Sequence, residues 1–176
     1  MPASRSAVRR IHLLRHAKSS WDEPSTPDQE RPLAQRGRKA AKRLARHLRE
    51  SDIRPNLVLC SSARRARQTL ELIENGLPDD VEIEIEPDLY GASADALLER
   101  LRALPPEVRA VMLIGHNPGL QDLGLMLAGS GDALPRLREH YPTLALASLQ
   151  VRSSTWKTLA GGSATLTGLL VPADLG

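Results

Sequence analysis

Hydrophobic and polar positions along the chain switch period at regular intervals, and the switches outline alternating strands and helices. Residues 8–14 (VRRIHLL) end in an apolar run suited to a buried strand. Over 38–50, Ala41, Leu44, Ala45 and Leu48 recur at helical spacing on one face. Residues 57–60 (LVLC) are short and wholly apolar, which predicts a core strand, and 63–75 reads as a helix closed by Gly76 and Pro78. "VEIEIEP" alternates strictly, predicting a strand with one wet face at a sheet edge. A helix over 94–104 stops at Pro105-Pro106, a second apolar strand covers 110–114, and "GHNPG" leads into a helix over 120–127. Strands over 145–152 and 164–171 follow, joined through "AGG". "SSWDEPSTPDQERP" holds three prolines among polar residues and reads as a loop.

Alternating strands and helices, with strands apolar on both faces, imply an α/β fold: a three-layer α/β/α sandwich around a mostly parallel central sheet. The length of 176 residues fits one domain, 1–176, with its core over about 8–172. Ligands of such sheets bind beyond the carboxyl ends of the strands. That rule makes neighbours of three loops: Arg15 and His16 after the first strand, Ser61 to Arg67 after the second, His116 and Asn117 after a later one.

Composition narrows the partners. Phe is absent and aromatics make up 2%, so Leu, Ala, Val and Ile must fill the core. No apolar run approaches the roughly 20 residues of a membrane helix, so no membrane partner is expected. The start "MPASRSAVRR" is basic but leads into only a short strand, which argues against a cleaved secretory signal. The lone cysteine, Cys60, allows no internal disulfide and suits a reducing cytoplasm. A net charge of +3 favours anions in general. The basic residues are spread along helices without interleaved aromatics, so nucleic acid is not expected.

The candidate chemistry follows by comparison. His12 and His16 stand four apart in an extended strand, about 13 Å of chain, too far for one ion; there is no HExxH and no cysteine pair, so no metal is expected. A cysteine phosphatase places arginine six positions after its thiol, where this chain has Ala66. "GSGD" is not a nucleophile elbow, and no GxxxxGK[ST] occurs. What remains is histidines and arginines gathered at the sheet edge, with a helix starting after each loop. Helix N-termini and planar guanidinium forks both suit phosphate. A histidine kept neutral by neighbouring cations is a competent nucleophile.

"RHAKSSW", "RPLAQRGRKAA", "SSARRARQTL" and "GHNPGL" together resemble the histidine phosphatase superfamily, also called phosphoglycerate-mutase-like, and look closest to its small SixA-type phosphohistidine phosphatase branch. The resemblance runs from about Arg10 to Pro172 and includes "YPTLAL". It implies a phosphoglycerate-mutase-like fold, no cofactor, and a phosphorylated protein or small phosphate compound as substrate. It puts the phosphoryl-accepting nucleophile at His16, phosphate clamps at Arg15 and Arg65, and a phosphoryl hydrogen bond at His116. Arg65 is selected over Arg64 and Arg67, which read as surface charge. Arg36 and Gly37 match a position read as structural. Asn117 suits a helix cap, with phosphate contact as a second role.

Two departures stand out. Ala17 follows the nucleophile where the family usually has glycine, and Trp21-Asp22 replaces the mutases' Trp-Asn. The general acid is left among Asp22, Glu86 and Asp88. Mutase-like members are longer, with insertions that close over the site; the short segments here predict an open one suited to hydrolysis. The competing readings are a small-molecule phosphomonoesterase or mutase, and a phosphate-binding regulatory module without turnover.

Overall fold

A computed structural model describes residues 7–176; the basic start of the chain, through Ser6, lies outside the described residues, and with it most of the segment tested as a signal. Seven strands form one sheet in the order β3-β2-β4-β1-β6-β7-β5. They are β1 (Val8–Arg15), β2 (Leu57–Ser61), β3 (Glu82–Glu86), β4 (Ala110–Gly115), β5 (Ala128–Ser130), β6 (Leu146–Arg152) and β7 (Ala164–Leu170). The β3-β2-β4-β1 half is parallel throughout. β6 runs antiparallel to both β1 and β7, and β5 joins β7 in parallel, so the sheet is mixed. Antiparallel pairing lets the last long strands return through short connections, which a helical crossover would not.

Helices cover both faces. The central strands send alternate side chains to opposite cores, as a period of two requires. Leu57, Leu59, Val111 and Leu113 meet α3 (Ala94–Arg102), α4 (Gly119–Leu127) and α5 (Leu134–Glu139). Val58, Cys60, Met112 and Ile114 meet α1 (Gln35–Arg49) and α2 (Arg64–Ile73). Both clusters are dominated by Leu, Ile, Val and Ala. Two large aromatic side chains, Trp156 and Tyr141, are fully buried.

The expected elements recur with instructive differences. Helix α1 starts at Gln35, earlier than the expected 38, because Gly37 sits in its first turn rather than before it. A Cβ at residue 37 would lie 2.2 Å from the Lys18 carbonyl oxygen, so glycine is what lets the helix rest on the chain leaving β1. The strand β3 does lie at the sheet edge, but its apolar side chains, Ile83 and Ile85, remain 37% and 44% exposed, so both of its faces are wet. β5 and α5 were not expected: three residues and six residues are too short to show a period, and Pro135 in the first turn reads as loop. The proline-rich loop contains one turn of 3₁₀ helix, Asp28–Glu30, and a single bridge from Ser19 to Leu33.

Candidate active site

β1, β4 and β2 end side by side, with Arg15 opposite Gly115 and Cys60 opposite Ile114. Their carboxyl ends therefore bring Arg15, His16, Arg65 and His116 to one cavity of about 280 Å³. Lys18 and Arg31 also line it, and no carboxylate does.

His16 is 6% exposed, and its backbone N–H is bonded to the Gly115 carbonyl. Its Nδ1 lies 2.8 Å from the Ala17 carbonyl oxygen. A carbonyl can only accept, so Nδ1 carries the proton and Nε2 keeps its lone pair. That Nε2 accepts from the Arg65 Nε at 3.3 Å. Burial first, and then His116, Arg65 and Arg15, push the imidazole down to about 3, against the pull of the Ala17 hydrogen bond. The ring is neutral across the physiological range, with its lone pair on the cavity side.

The motif that selected Arg65 has a structural rationale. The Thr69 hydroxyl accepts from the Ala17 N–H at 3.0 Å and donates to the Arg65 carbonyl at 2.8 Å. Gln68 Oε1 accepts from the Leu33 N–H at 2.8 Å. Helix α2 thus holds the loop that follows the nucleophile candidate. Arg65 itself is 7% exposed, whereas Arg64 and Arg67 are exposed and reach only the Glu30 and Ser62 carbonyls.

His116 stands with its ring centroid 5.2 Å from that of His16. Its Nε2 is 2.7 Å from the Ser61 hydroxyl, and its Nδ1 faces Arg65 Nη2 at 3.5 Å. A guanidinium only donates, so Nδ1 is the acceptor and Nε2–H donates to Ser61. Burial, followed by Arg65, lowers His116 to about 4. Arg15 Nη1 donates to the Tyr141 carbonyl at 2.9 Å, while its buried Nε has no hydrogen-bond partner among the described residues. Leu144, at φ 63°, adopts a left-handed backbone that branched side chains resist; its N–H reaches the carbonyls of both Arg15 and His16.

Asn117 lines the cavity, but its polar atoms are engaged elsewhere. Oδ1 accepts from the Gln121 N–H at 3.2 Å, as a helix cap does, and Nδ2 donates to Gln121 Oε1 and the Tyr141 carbonyl. His12 lies in the middle of the sheet, 3% exposed, with Nδ1 on the Ser148 hydroxyl. No group of three or more His, Cys, Asp or Glu among the described residues is placed to hold a metal. Burial pushes the Cys60 thiol up to about 12, which makes it inert as a nucleophile.

None of the three carboxylates considered as general acid lines the cavity. Glu86 is bound through both oxygens to Arg100, at 2.8 and 2.6 Å, which lowers its pKa; Asp22 and Asp88 are exposed. The carboxylate nearest the site is one the sequence reading missed. Asp28 accepts from Tyr90 Oη, from Arg31 Nη1 at 3.0 Å and from Arg65 Nη2 at 3.0 Å. The Tyr90 hydrogen bond first, and then the two arginines, hold Asp28 well below the usual carboxylate range. It is a fixed anion that aims Arg65, and it has no proton to give. Arg31 was missed too: it is 7% exposed and stacks 3.3 Å over the ring of Trp21, itself 70% exposed. Both lie in the proline-rich loop; the only available signal was the cluster of two acidic residues and one arginine in "DQER".

A mixed α/β sheet with two neutral histidines between arginines at the strand ends makes a candidate site chemically suited to phosphate. Residues 11–103 match the profile of the histidine phosphatase superfamily (branch 1), and the chain belongs to that superfamily and is a phosphatase. Solved structures bring it to the SixA-type branch. SixA from Agrobacterium tumefaciens is 31% identical, covering 93% of this chain and 98% of that one, with a TM-score of 0.78. A protein histidine phosphatase SixA complexed with tungstate is 26% identical over 95% of this chain and 99% of that one, with a TM-score of 0.77. A relative from Mycobacterium tuberculosis, of uncharacterized function, is 34% identical, covering 90% of this chain and 99% of its own. Among the described residues no helix is long and apolar enough to cross a membrane.

Proposed function

We propose that this phosphatase hydrolyses phosphohistidine carried on another protein, through a phosphohistidine formed on His16. The observation that carries the reading is the cavity wall, with its cations, two neutral imidazoles and no carboxylate acid. An alkyl phosphate expels a poor leaving group and needs a positioned proton donor. A substrate imidazole, with a conjugate-acid pKa of about 6.5, leaves with a proton taken from solvent near neutral pH. A site without a ready acid is matched to the second case.

In this route the His16 Nε2 lone pair attacks phosphorus as the bond from phosphorus to the substrate nitrogen breaks. Arg15 and Arg65 neutralise the charge on the transferring group. The dianionic phosphoryl raises the pKa of His116, and the proton gained at Nδ1 then donates to a phosphoryl oxygen. Water next attacks the phosphorus of the phosphoenzyme, and phosphate and neutral His16 are released.

The experiment has two parts. Rapid quench with a labelled phosphohistidine peptide should trap a label on the protein that is lost in mild acid and survives base, and that is absent in His16→Ala. Steady-state kcat/KM should rank phosphohistidine above aryl phosphates, and aryl above alkyl phosphates. An acid-stable adduct, or alkyl phosphates turned over as fast as phosphohistidine, overturns the reading.

A further inference from the structure

A second cavity, of about 560 Å³, adjoins the candidate catalytic one, since Lys18 and Thr143 line both. Its floor is apolar: Ala40, Leu144 and Leu169. Its rim is basic, with Arg36, Lys39 and Arg43 on the outer face of α1 and Lys18 at the junction. All four are exposed, and none is in a salt bridge among the described residues. Arg136, on the opposite rim, is by contrast 3.7 Å from Asp174. Glu139 is the only carboxylate in the lining.

A solvated helix face ordinarily mixes its charges; α1 carries seven Lys or Arg and no carboxylate, and three of the seven, Arg36, Lys39 and Arg43, line the cleft. Arg36 to Arg43 spans seven residues, about 10 Å along the helix axis. That is longer than one phosphate group and suits several carboxylates in sequence, with an apolar side chain seated between them. The floor also has a direct link to the chemistry, because the Leu144 that forms it bonds the carbonyls of Arg15 and His16.

We propose that this cleft docks an acidic segment of the substrate protein, next to its phosphohistidine, with carboxylates on Arg36, Lys39 and Arg43 and an apolar side chain against Leu144. The proposal rests on the phosphohistidine reading above and adds to it what surrounds the modified residue. The test uses two synthetic peptides sharing one phosphohistidine core, one flanked by Asp, Glu and Leu, the other by Ser and Gln. The wild-type protein should favour the acidic peptide by about tenfold or more in kcat/KM, mostly through KM, a size that a few rim charge contacts can supply. Arg36→Glu combined with Arg43→Glu, both at exposed positions, should abolish that preference while kcat on the neutral peptide stays within about twofold. Equal kcat/KM for the two peptides, or a preference that survives charge reversal, overturns the docking cleft and leaves the phosphohistidine reading standing. Failure to hydrolyse either peptide, with aryl phosphates still turned over, overturns both. A dimer in sedimentation that charge reversal dissolves would give the cleft to a second copy of this chain and overturn the proposal.

Discussion

Acidification from pH 7 to pH 5 should destabilise this protein far more than its carboxylates alone would. His12 is buried and lowered to about 4, mainly by burial, and His16 to about 3 by burial and the neighbouring cations. In the unfolded chain both titrate near 6.5, so between that value and their folded values the unfolded state binds more protons than the native one. Stability is therefore full above about pH 6.5 and is lost steadily as the pH falls toward 4 and then 3. At about 1.36 kcal/mol per pH unit per group, each histidine removes about 2 kcal/mol between pH 7 and 5, about 4 kcal/mol for the two. His116 adds to the loss. Against a typical total of 5–15 kcal/mol that is a large fraction. Urea denaturation followed by far-UV circular dichroism at half-unit pH steps would measure it. His12→Leu, remote from the candidate catalytic cavity, should remove about 2 kcal/mol, roughly a third, of the pH-dependent loss, whatever it does to stability at pH 7. A change under about 1 kcal/mol from pH 7 to 5, or an unaltered slope in His12→Leu, would show that these rings are not held neutral.

Arg65→Lys keeps the charge but loses the fork that reaches His16 and Asp28 together, so kcat/KM should fall by about a hundredfold, while Arg64→Lys stays within about twofold; equal sensitivity would mean the register is wrong. Thr69→Val removes the acceptor for the Ala17 N–H, which should cost about 1–3 kcal/mol of stability and lower kcat together with it; thermal melts and turnover rates on one preparation would check both. Tungstate or inorganic phosphate binding should change the emission of Trp21, which is exposed at the cavity, and leave that of the buried Trp156 alone, so Trp21→Leu should abolish the ligand-dependent signal.

The half of the sheet that carries the candidate site was legible because β2 and β4 are buried along their whole length and so read as uninterrupted apolar runs, while β1 ends in the apolar pair Leu13-Leu14. Rules for parallel sheets then placed the loops after Leu14, Cys60 and Ile114 together without any contact information. The antiparallel half was half legible: β6 and β7 alternate, but β5 and α5 are too short to alternate at all. Asp28 and Arg31 escaped because a proline-rich loop has no period; the partners of Asp28 at residues 65 and 90 are brought near only by the fold, and those of Arg31 lie within the loop itself. Glu86 failed as an acid for a related reason. Its partner Arg100 comes from α3, and nothing in the spacing of "EIEPDLYG" announces that pairing.

The hydrogen bond that His16 Nδ1–H donates behind the nucleophile candidate is accepted by a neutral carbonyl, that of Ala17, where a carboxylate could have stood. A carboxylate would lower the energy of a phosphorylated, cationic imidazole and make the phosphoenzyme a sink; a carbonyl gives much less of that relief. Under the proposed route the first step then moves a phosphoryl group from one imidazole to another, with His16 the less basic of the two. Such a step can run backwards before water arrives. A large excess of free imidazole-bearing acceptor should draw label back out of the phosphoenzyme, so the protein would exchange phosphoryl groups among histidines on its way to hydrolysing them, with water access deciding the direction of net flow.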